Sequence, residues 1–172
     1  IMDGDKPEHL LEAIPVMGCY CDIIGVRAFA KFENKADDYS EKILNQFIQY
    51  SGRPVFSMDG ATSHPLQAFA DLITIEEHQK KQRPKVVLTW APHPRALPQA
   101  VPNSFADFMN EADVEFVITH PKGYELAEQF VRGAKVEYDQ QKAFEGADFI
   151  YAKNWAAYQD PNYGKILSKD MS

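Results

Sequence analysis

Apolar and polar residues alternate along this chain in two distinct rhythms. Strand-like apolar runs occupy residues 21–26, 54–58, 85–90, 115–119, 135–138 and 148–152. Apolar residues recur at helical spacing in residues 7–17, 36–50, 64–79, 103–112, 124–132 and 139–146. This alternation predicts an α/β fold with two parallel sheets, whose strands are buried.

The pattern divides near its middle. The helix predicted over 64–79 turns abruptly polar at residues 76–82, and Pro84 begins a new apolar run. Such a polar stretch is typical of a linker, so we expect one domain over residues 1–80 and another over 81–172, joined by this central helix.

Smaller features refine the predicted helices. Pro7 suits a helix start, and Pro15 predicts a kink or an early end of helix 7–17. Helix 103–112 is expected to begin with Asn103 or Ser104 as its cap. In helix 36–50 the residues expected to face inward are Ile43, Leu44, Phe47 and Ile48.

The segment 57–67 links a predicted strand to the central helix. Gly60 allows a sharp turn, Thr62 or Ser63 can cap the helix, and Pro65 fits its first turn. His64 and Gln67 are therefore expected at a helix N-terminus, where free N–H groups and the helix dipole favour an anion or a polarised carbonyl. Gln67 can donate and accept, which suits an amide-like group. The alternative is that His64 merely occupies a helix start.

Two cations are placed at the ends of predicted strands. Arg27 ends the run 21–26, and Lys153 follows the run 148–152. Open α/β sheets bind ligands at the carboxyl ends of their strands, so both are candidate ligand-binding residues. For each, the alternative is a solvated charge at a strand end.

Composition excludes several classes of function. The net charge of −7 argues against nucleic-acid binding, which needs a basic surface. No apolar run approaches the ~20 residues of a membrane span, and residues 1–5 lack the pattern of a signal peptide, so a cytoplasmic protein is expected. Cys19 and Cys21 have neither zinc nor CxxC spacing, which predicts reduced, buried thiols.

Cofactor and metal chemistry are disfavoured by the motifs. The chain contains neither GxGxxG nor GxxxxGK[ST], so dinucleotide and P-loop sites are not expected. A metal site from His64, His93 and His120 is an alternative, but no HxH or HxxxH pair exists and a proline adjoins each histidine. A non-enzyme alternative is a piece that only binds an anion at the His64 helix start, or a structural part of an assembly.

Three segments carry a family resemblance. His64-Pro65-Leu66-Gln67, followed by residues 70–75, resembles the carbamoyl-binding signature of the transcarbamylases. Residues 89–95 and 151–155 are similar to the branch that acts on N-acylated ornithine, especially the N-succinylornithine carbamoyltransferases. The resemblance implies carbamoyl transfer from carbamoyl phosphate to N-succinyl-L-ornithine, giving N-succinyl-L-citrulline and phosphate in arginine biosynthesis, without metal or cofactor, in a homotrimer. N-acetylornithine and ornithine are the alternative acceptors.

The resemblance also implies residue roles. Arg27 and His64 would contact the carbamoyl carbonyl or phosphate, and Pro65, Leu66 and Gln67 would complete the carbamoyl-phosphate site. The residues implied on the acceptor side are Pro7, Asp59, His93 and Lys153. Two residues depart from the family pattern. The family usually carries Glu at the place of Asp59, which bears on the contact with the amine, and Arg at the place of Ser63, which bears on affinity for the phosphate.

Pro7 bears on the acyl group. By resemblance, acetylornithine enzymes carry Glu at this position and succinylornithine enzymes carry Pro. A Glu facing the second carboxylate of a succinyl group would cost on the order of 1–4 kcal/mol in a partly dry site, so Pro7 favours the succinyl substrate. The alternative is that Pro7 only starts the first helix.

Prolines at positions 92, 94, 98 and 102 predict a stiff, extended loop over residues 92–102. A rigid surface loop or a polyproline ligand would explain it, although no PxxP spacing occurs. The resemblance instead implies two Rossmann-like halves with a backbone knot at this loop. The family's Ser-x-Arg-Thr-type loop and His-Cys-Leu-Pro-type segment lie outside the sequence, which is therefore expected to be a central fragment. The resemblance implies that residues 1–80 are the C-terminal half of the carbamoyl-phosphate-binding domain. It implies that residues 81–172 are the N-terminal half of the domain that binds N-acylornithine.

Overall fold

A computed structural model describes residues 9–167 of the 172-residue chain. Helices alternate with strands as predicted. The elements are, in chain order, α1 (Leu10–Tyr20), β1 (Ile24–Arg27), α2 (Lys35–Tyr39), α3 (Lys42–Tyr50), β2 (Val55–Asp59), α4 (Pro65–His78), β3 (Lys85–Trp90), α5 (Ala100–Glu111), β4 (Glu115–Thr119), α6 (Glu128–Val131), β5 (Lys135–Val136), α7 (Gln140–Phe144) and β6 (Phe149–Lys153).

The first half forms a small parallel sheet. β1 pairs with β2, Ile24 lies opposite Val55 and Arg27 lies opposite Asp59, with an irregular register between Val26 and Arg27. A small core unites this sheet with α1 and α3, and its buried members are Ile14, Ile24, Val26 and Phe47. This packing leaves the carboxyl ends of β1 and β2 side by side.

The second half forms a larger parallel sheet in the order β5-β4-β3-β6. Val86, Val87 and Leu88 of the central strand β3 are 0% exposed, as expected for a strand covered on both faces. The chain moves from β3 to β4 and β5 and then returns to place β6 on the other side of β3. This reversal creates a topological switch point between β3 and β6, where open α/β sheets bind ligands.

The prediction of buried strands is wrong for the first sheet. β1 alternates buried and exposed residues, and β2 has no buried residue. Phe56 and Met58 are 37% and 42% exposed, and Ile23 before β1 is also exposed. The physical reason is that α1 and α3 pack against this sheet on one side, so only one of its faces is well covered.

Helices of the first half also differ from prediction. α1 continues through Pro15 to Tyr20, so the early end predicted at Pro15 does not occur. The predicted helix 36–50 is two helices, because Glu41 adopts a left-handed conformation with φ of 47° between them. Its predicted inward face is partly wrong, since Phe47 is buried whereas Ile43 and Ile48 are exposed.

Helices of the second half are shorter or shifted. α5 begins at Ala100, with Gln99 rather than Asn103 or Ser104 at its cap position, so residues 100–102 belong to a helix and not to the proline-rich loop. α6 covers only Glu128–Val131, although Tyr124 and Leu126 before it are buried in the core. These two side chains are buried from an irregular loop, which hydrophobic spacing alone cannot distinguish from a helix.

Contacts also join the two halves directly. The Tyr163 hydroxyl donates to Asp38 at 2.9 Å, and the Tyr39 hydroxyl donates to Gln99 at 2.9 Å. Asp38 is buried and accepts two further hydrogen bonds from the backbone of Lys31 and Phe32. This polar network fixes α2 of the first half against the segment that follows β6.

Three remaining predictions concern individual residues and the membrane. Cys19 and Cys21 are free thiols but exposed, because Cys19 lies on the outer side of α1 and Cys21 directly follows that helix. Pro7 lies outside the described residues. Across residues 9–167, the structure has no helix with the length and apolar character needed to cross a membrane.

Candidate functional site

The carboxyl edge of the first sheet brings together opposite charges. Arg27 ends β1 and Asp59 ends β2, and the pairing of the two parallel strands places these residues opposite each other. The Arg27 guanidinium lies 3.4 Å from the largely buried Asp59 carboxylate and 4.7 Å from the Phe29 ring, over which it stacks. The strand ends therefore hold an oriented cation, and Phe29 is a supporting residue that sequence reasoning missed.

His64 itself caps α4. Its Nδ1 accepts a hydrogen bond from the backbone N–H of Gln67 at 3.3 Å, so the predicted cap at Thr62 or Ser63 is wrong, and this N–H is not free for an anion. Because Nδ1 is an acceptor, a neutral His64 carries its proton on Nε2. That nitrogen lies 3.9 Å from Asp59 Oδ2 and is the donor that His64 can offer to a ligand.

The loop before His64 is held from two other elements. Ser104 of α5 accepts a hydrogen bond from the His64 backbone N–H at 2.8 Å, and Asn103 donates to the Thr62 carbonyl at 3.1 Å. Glu41 accepts from both the backbone and the hydroxyl of Thr62, at 2.7 and 2.9 Å. Sequence reasoning identified Asn103 and Ser104 only as possible helix caps, since nothing local reveals that they bind the loop of the other half.

Lys153 is the predicted site residue of the second sheet. It ends β6 opposite Trp90 of β3, at the switch point, and its backbone carbonyl accepts from Ala91 at 3.0 Å. Burial lowers the pKa of the Lys153 amine, and the charge of Asp59 acts in the opposite direction. Asp59 thus pairs with Arg27, lies 3.9 Å from His64 Nε2, and acts through its charge on Lys153 of the other sheet.

Gln67 lies one turn into α4, and its side chain is already oriented. Its Nε2 donates to Asp71 Oδ1 at 2.9 Å, one helical turn further on. A carboxylate only accepts hydrogen bonds, so the amide nitrogen must face Asp71 and the amide oxygen Oε1 remains available as an acceptor. Pro65 and Leu66 complete the first turn of the helix, and Leu66 is exposed.

The other predicted residues are not brought into contact with this group. His93 makes a local turn with Arg95, at 3.0 and 3.1 Å, and has no recorded contact with Asp59 or His64. His120 bonds Pro121 and packs edge-on against Tyr138 and Trp155. Within the part of the chain that the structure describes, no three His, Cys, Asp or Glu residues form a group suited to a metal ion.

The arrangement has a definite chemical character. The Arg27 guanidinium, the charge of Lys153 and the N-terminus of the 14-residue helix α4 are features that attract anionic ligands, while Asp59 and Glu41 supply the carboxylates of this region. The Nε2–H group of His64 can donate to a carbonyl oxygen that gains negative charge. Asp59 can accept a hydrogen bond from an approaching amine, and Gln67 Oε1 can accept from an amide.

A family model and a curated relative match this sequence. The family model for the aspartate/ornithine carbamoyltransferase carbamoyl-P binding domain matches residues 1–77. N-succinylornithine carbamoyltransferase of Bacteroides thetaiotaomicron is 81% identical over 170 residues, which are 99% of this chain and 54% of that relative. N-acetylornithine carbamoyltransferase of Xanthomonas axonopodis pv. citri is 36% identical over 172 residues, covering 91% of this chain and 50% of the relative.

Solved structures show the same likeness. N-acetyl-L-ornithine transcarbamylase is 35% identical, with a TM-score of 0.84 over 99% of this chain and 56% of that one. A glutamate-to-valine variant, complexed with carbamyl phosphate and N-succinyl-L-norvaline, is 36% identical, with a TM-score of 0.85 over 95% of this chain and 53% of that one. The chain spans about half the length of the relatives that it matches. It belongs to the aspartate/ornithine carbamoyltransferase family.

Proposed function

We propose that a protein of the relatives' full length carrying this sequence transfers the carbamoyl group of carbamoyl phosphate to the side-chain amine of N-succinyl-L-ornithine. The products are N-succinyl-L-citrulline and phosphate. The observation that carries this proposal is the placement of Arg27 and His64 beside Asp59, with Lys153 of the second sheet within reach of its charge, in a chain that is 81% identical to an N-succinylornithine carbamoyltransferase.

The first sheet supplies the carbamoyl side of the site. Arg27 and the Nε2–H of His64 bind the carbonyl and phosphate oxygens, and they stabilise negative charge that grows as the amine attacks. Gln67 accepts a hydrogen bond from the carbamoyl nitrogen through Oε1, while Pro65 and Leu66 shape the first helical turn. Catalysis here consists of positioning and electrostatics, with the C–O bond to phosphate breaking as the C–N bond forms.

The amino-acid side joins both halves. Asp59 accepts a hydrogen bond from the neutral attacking amine, and Lys153 binds a carboxylate of the acylated ornithine. His93 is a further proposed contact of the acylated ornithine. The shorter Asp59 suits this role because its carboxylate already lies between Arg27 and His64.

A full-length assay tests the proposal. We expect N-succinyl-L-citrulline to form from carbamoyl phosphate, with a higher kcat/KM for N-succinylornithine than for N-acetylornithine or ornithine. The 172-residue chain alone is expected to show no carbamoyl transfer. Absence of product from the full-length protein would overturn the proposed function, and light scattering on the same sample tests the homotrimer, while the cytoplasmic location stays a prediction.

Pro7 is the proposed selector of the acyl group. Substituting Pro7→Glu in the full-length protein places a carboxylate where the second carboxylate of succinyl is expected, so the kcat/KM ratio of succinyl to acetyl substrate should fall by about tenfold or more. Pro7→Ala is the matched control, because it removes the ring without adding charge. An unchanged ratio with Pro7→Glu would show that Pro7 does not select the acyl group.

A second candidate function is anion binding without turnover by the chain itself. It is favoured by His64 at the α4 N-terminus and by Arg27 at the end of β1, both beside Asp59 and both within the described residues. Isothermal titration of the 172-residue chain with carbamoyl phosphate, beside the activity assay, separates binding from transfer.

A further inference from the structure

The carboxylate of Asp71 has two distinct environments. Oδ1 accepts from Gln67 Nε2 at 2.9 Å across one turn of α4. Oδ2 is closed off from solvent and has no partner within standard hydrogen-bond geometry among residues 9–167. A glutamine–aspartate pair at this spacing is common on helix surfaces and contributes little by itself. The enclosed second oxygen is what sets this pair apart.

Tyr151 of the second sheet is a neighbour of this carboxylate. It belongs to β6, two residues before Lys153, and with Asp71 it lines a cavity of about 140 Å³ between α4, α5 and β6. Its ring also stacks on Phe105 at 4.3 Å between centroids. Burial raises the pKa of the Tyr151 hydroxyl, and the charge and hydrogen-bonding interaction of Asp71 raise it further.

We propose that Asp71, which shares this cavity with Tyr151, is a positioning residue that keeps the Gln67 amide in one orientation and thereby makes the site selective for a carbamoyl over an acyl phosphate. The inference rests on the proposed function. A carboxylate can bind only the NH₂ end of Gln67, so Oε1 is the atom left to accept a hydrogen bond from a ligand. Tyr151 belongs to the second sheet, so its place beside Asp71 in this cavity also links the orientation of Gln67 to the acceptor half of the site.

The selectivity follows from hydrogen-bond chemistry. Carbamoyl phosphate carries an NH₂ group, which donates to a fixed Oε1, whereas acetyl phosphate has a methyl group of similar size in its place and donates nothing. A flipped Gln67 would present its own NH₂ to the carbamoyl NH₂, and two donors would then face each other. A site built to pair with a donor rejects the analogue that lacks it, because its own polar group is left unpaired.

The substitution Asp71→Asn in the full-length protein tests the orientation. Its side-chain amide can face Gln67 with either its oxygen or its nitrogen, so Gln67 is no longer held one way. We expect KM for carbamoyl phosphate to rise about tenfold, while the inhibition constant of acetyl phosphate changes less than twofold. KM for the acylated ornithine should stay within about twofold, since Gln67 does not contact that substrate.

A double-substitution cycle separates positioning from structure. If Asp71 acts through Gln67, then Asp71→Asn should have almost no further effect on carbamoyl-phosphate selectivity in a Gln67→Ala background. Tyr151→Phe should give a smaller loss of selectivity, of about threefold, because it removes only the hydroxyl of the neighbouring side chain and leaves the Asp71 carboxylate in place. Thr74→Val is the matched control: Thr74 lines the same cavity, but its hydroxyl bonds Ala70 within the helix at 2.8 Å.

The outcomes distinguish this inference from the proposed function. No turnover by the unsubstituted full-length protein refutes the proposed function and with it this inference. Normal turnover with unchanged selectivity in both Asp71→Asn and Tyr151→Phe, or fully additive effects in the cycle, overturns the role of Asp71 alone. If Asp71→Asn lowers folding yield, the Tyr151→Phe and Gln67→Ala pair carries the same decision.

Discussion

The two sheets of this chain differ in how completely their strands are buried. In the second sheet β3 is flanked on both sides by parallel strands and covered on both faces, with Val86, Val87 and Leu88 fully buried. Among residues 9–167, β1 and β2 of the first sheet pair only with each other, and β2 exposes Phe56 and Met58. Both sheets follow from similar apolar runs, so the difference comes from what covers them.

This difference matters because the reactive groups lie on the less covered half. Arg27, Asp59 and His64 all belong to the first half, whereas Ser104 and Asn103 of the second half hold the loop that carries His64. The well-packed half therefore serves as the support, and the exposed half carries the proposed carbamoyl chemistry. The matched relative is about twice as long as this chain, and the stability measurements below test whether additional chain covers the first sheet.

The largest expected effect concerns the first half. In the full-length protein, His64→Ala should lower kcat/KM by about 10²–10³-fold, because it removes a donor to the growing oxyanion. Steady-state kinetics measures this loss. His78→Ala is the matched control, since His78 ends the same helix and bonds only the Thr74 carbonyl within it. A loss below threefold for His64→Ala would reduce His64 to a capping residue and move the chemistry away from the first half.

The next effect compares the two sheets by stability. Leu88→Ala should lower the free energy of unfolding of the chain by about 2–5 kcal/mol, since it opens a cavity in a fully buried strand. Met58→Ala in β2 should cost about 1 kcal/mol or less, because the side chain is 42% exposed. Urea unfolding measures both values.

Repeating the Met58→Ala measurement in the full-length protein sharpens the comparison. A cost higher by at least about 1 kcal/mol there would show that additional chain covers the first sheet. Equal costs in the two proteins would mean that this face stays exposed, and the proposed difference between the sheets would then be intrinsic to the fold.

The sequence predicted the second sheet better than the first. β3 and β4 have the predicted bounds, because each is a continuous apolar run that is buried in the sheet. α4 starts at Pro65 because proline favours the first turn of a helix and His64 caps it. The break at Glu41 and the short α6 depend on tertiary contacts that local spacing does not encode. The domain division at residue 80 and the knot at 92–102 stay predictions.

The candidate site shows the same division between local and non-local information. The sequence predicted Arg27 and Lys153 as ligand-binding residues because each ends a strand. It predicted His64 and Gln67 because they lie at the start of a helix, and each such position depends on one element only. The role of Ser104 was missed because its partner His64 lies 40 residues away in the sequence. The role of Asp71 was missed because one of its neighbours, Tyr151, lies on a strand of the other sheet. Residues that join two elements leave no local signature.

The smallest expected effect is the pH dependence of Lys153, the contribution of the second half to the charged cluster. Its pKa is lowered from 10.5 by burial, and Asp59 offsets only part of this change. The folded protein therefore loses this proton at a lower pH than the unfolded chain does. Below the folded pKa, the lysine is charged and binds an anionic group at some cost in stability, and both the binding and the cost decline as pH rises toward 10.5.

N-succinyl-L-norvaline is the probe for this dependence, since it lacks the side-chain amine and does not itself titrate in this range. In the full-length protein, its inhibition constant should rise about fivefold as pH increases through the lowered pKa of Lys153, which corresponds to about 1 kcal/mol for a half-buried charge pair. Lys153→Arg should abolish the rise, because a guanidinium keeps its charge there. Lys81→Ala is the matched control. It removes an exposed lysine that pairs with Asp148 at the amino end of β6, the end opposite Lys153, and should leave the profile unchanged. A profile that is flat in the unsubstituted protein, or that persists with Lys153→Arg, would assign anion binding to Arg27 alone and make the second half a support without a charge of its own in the site.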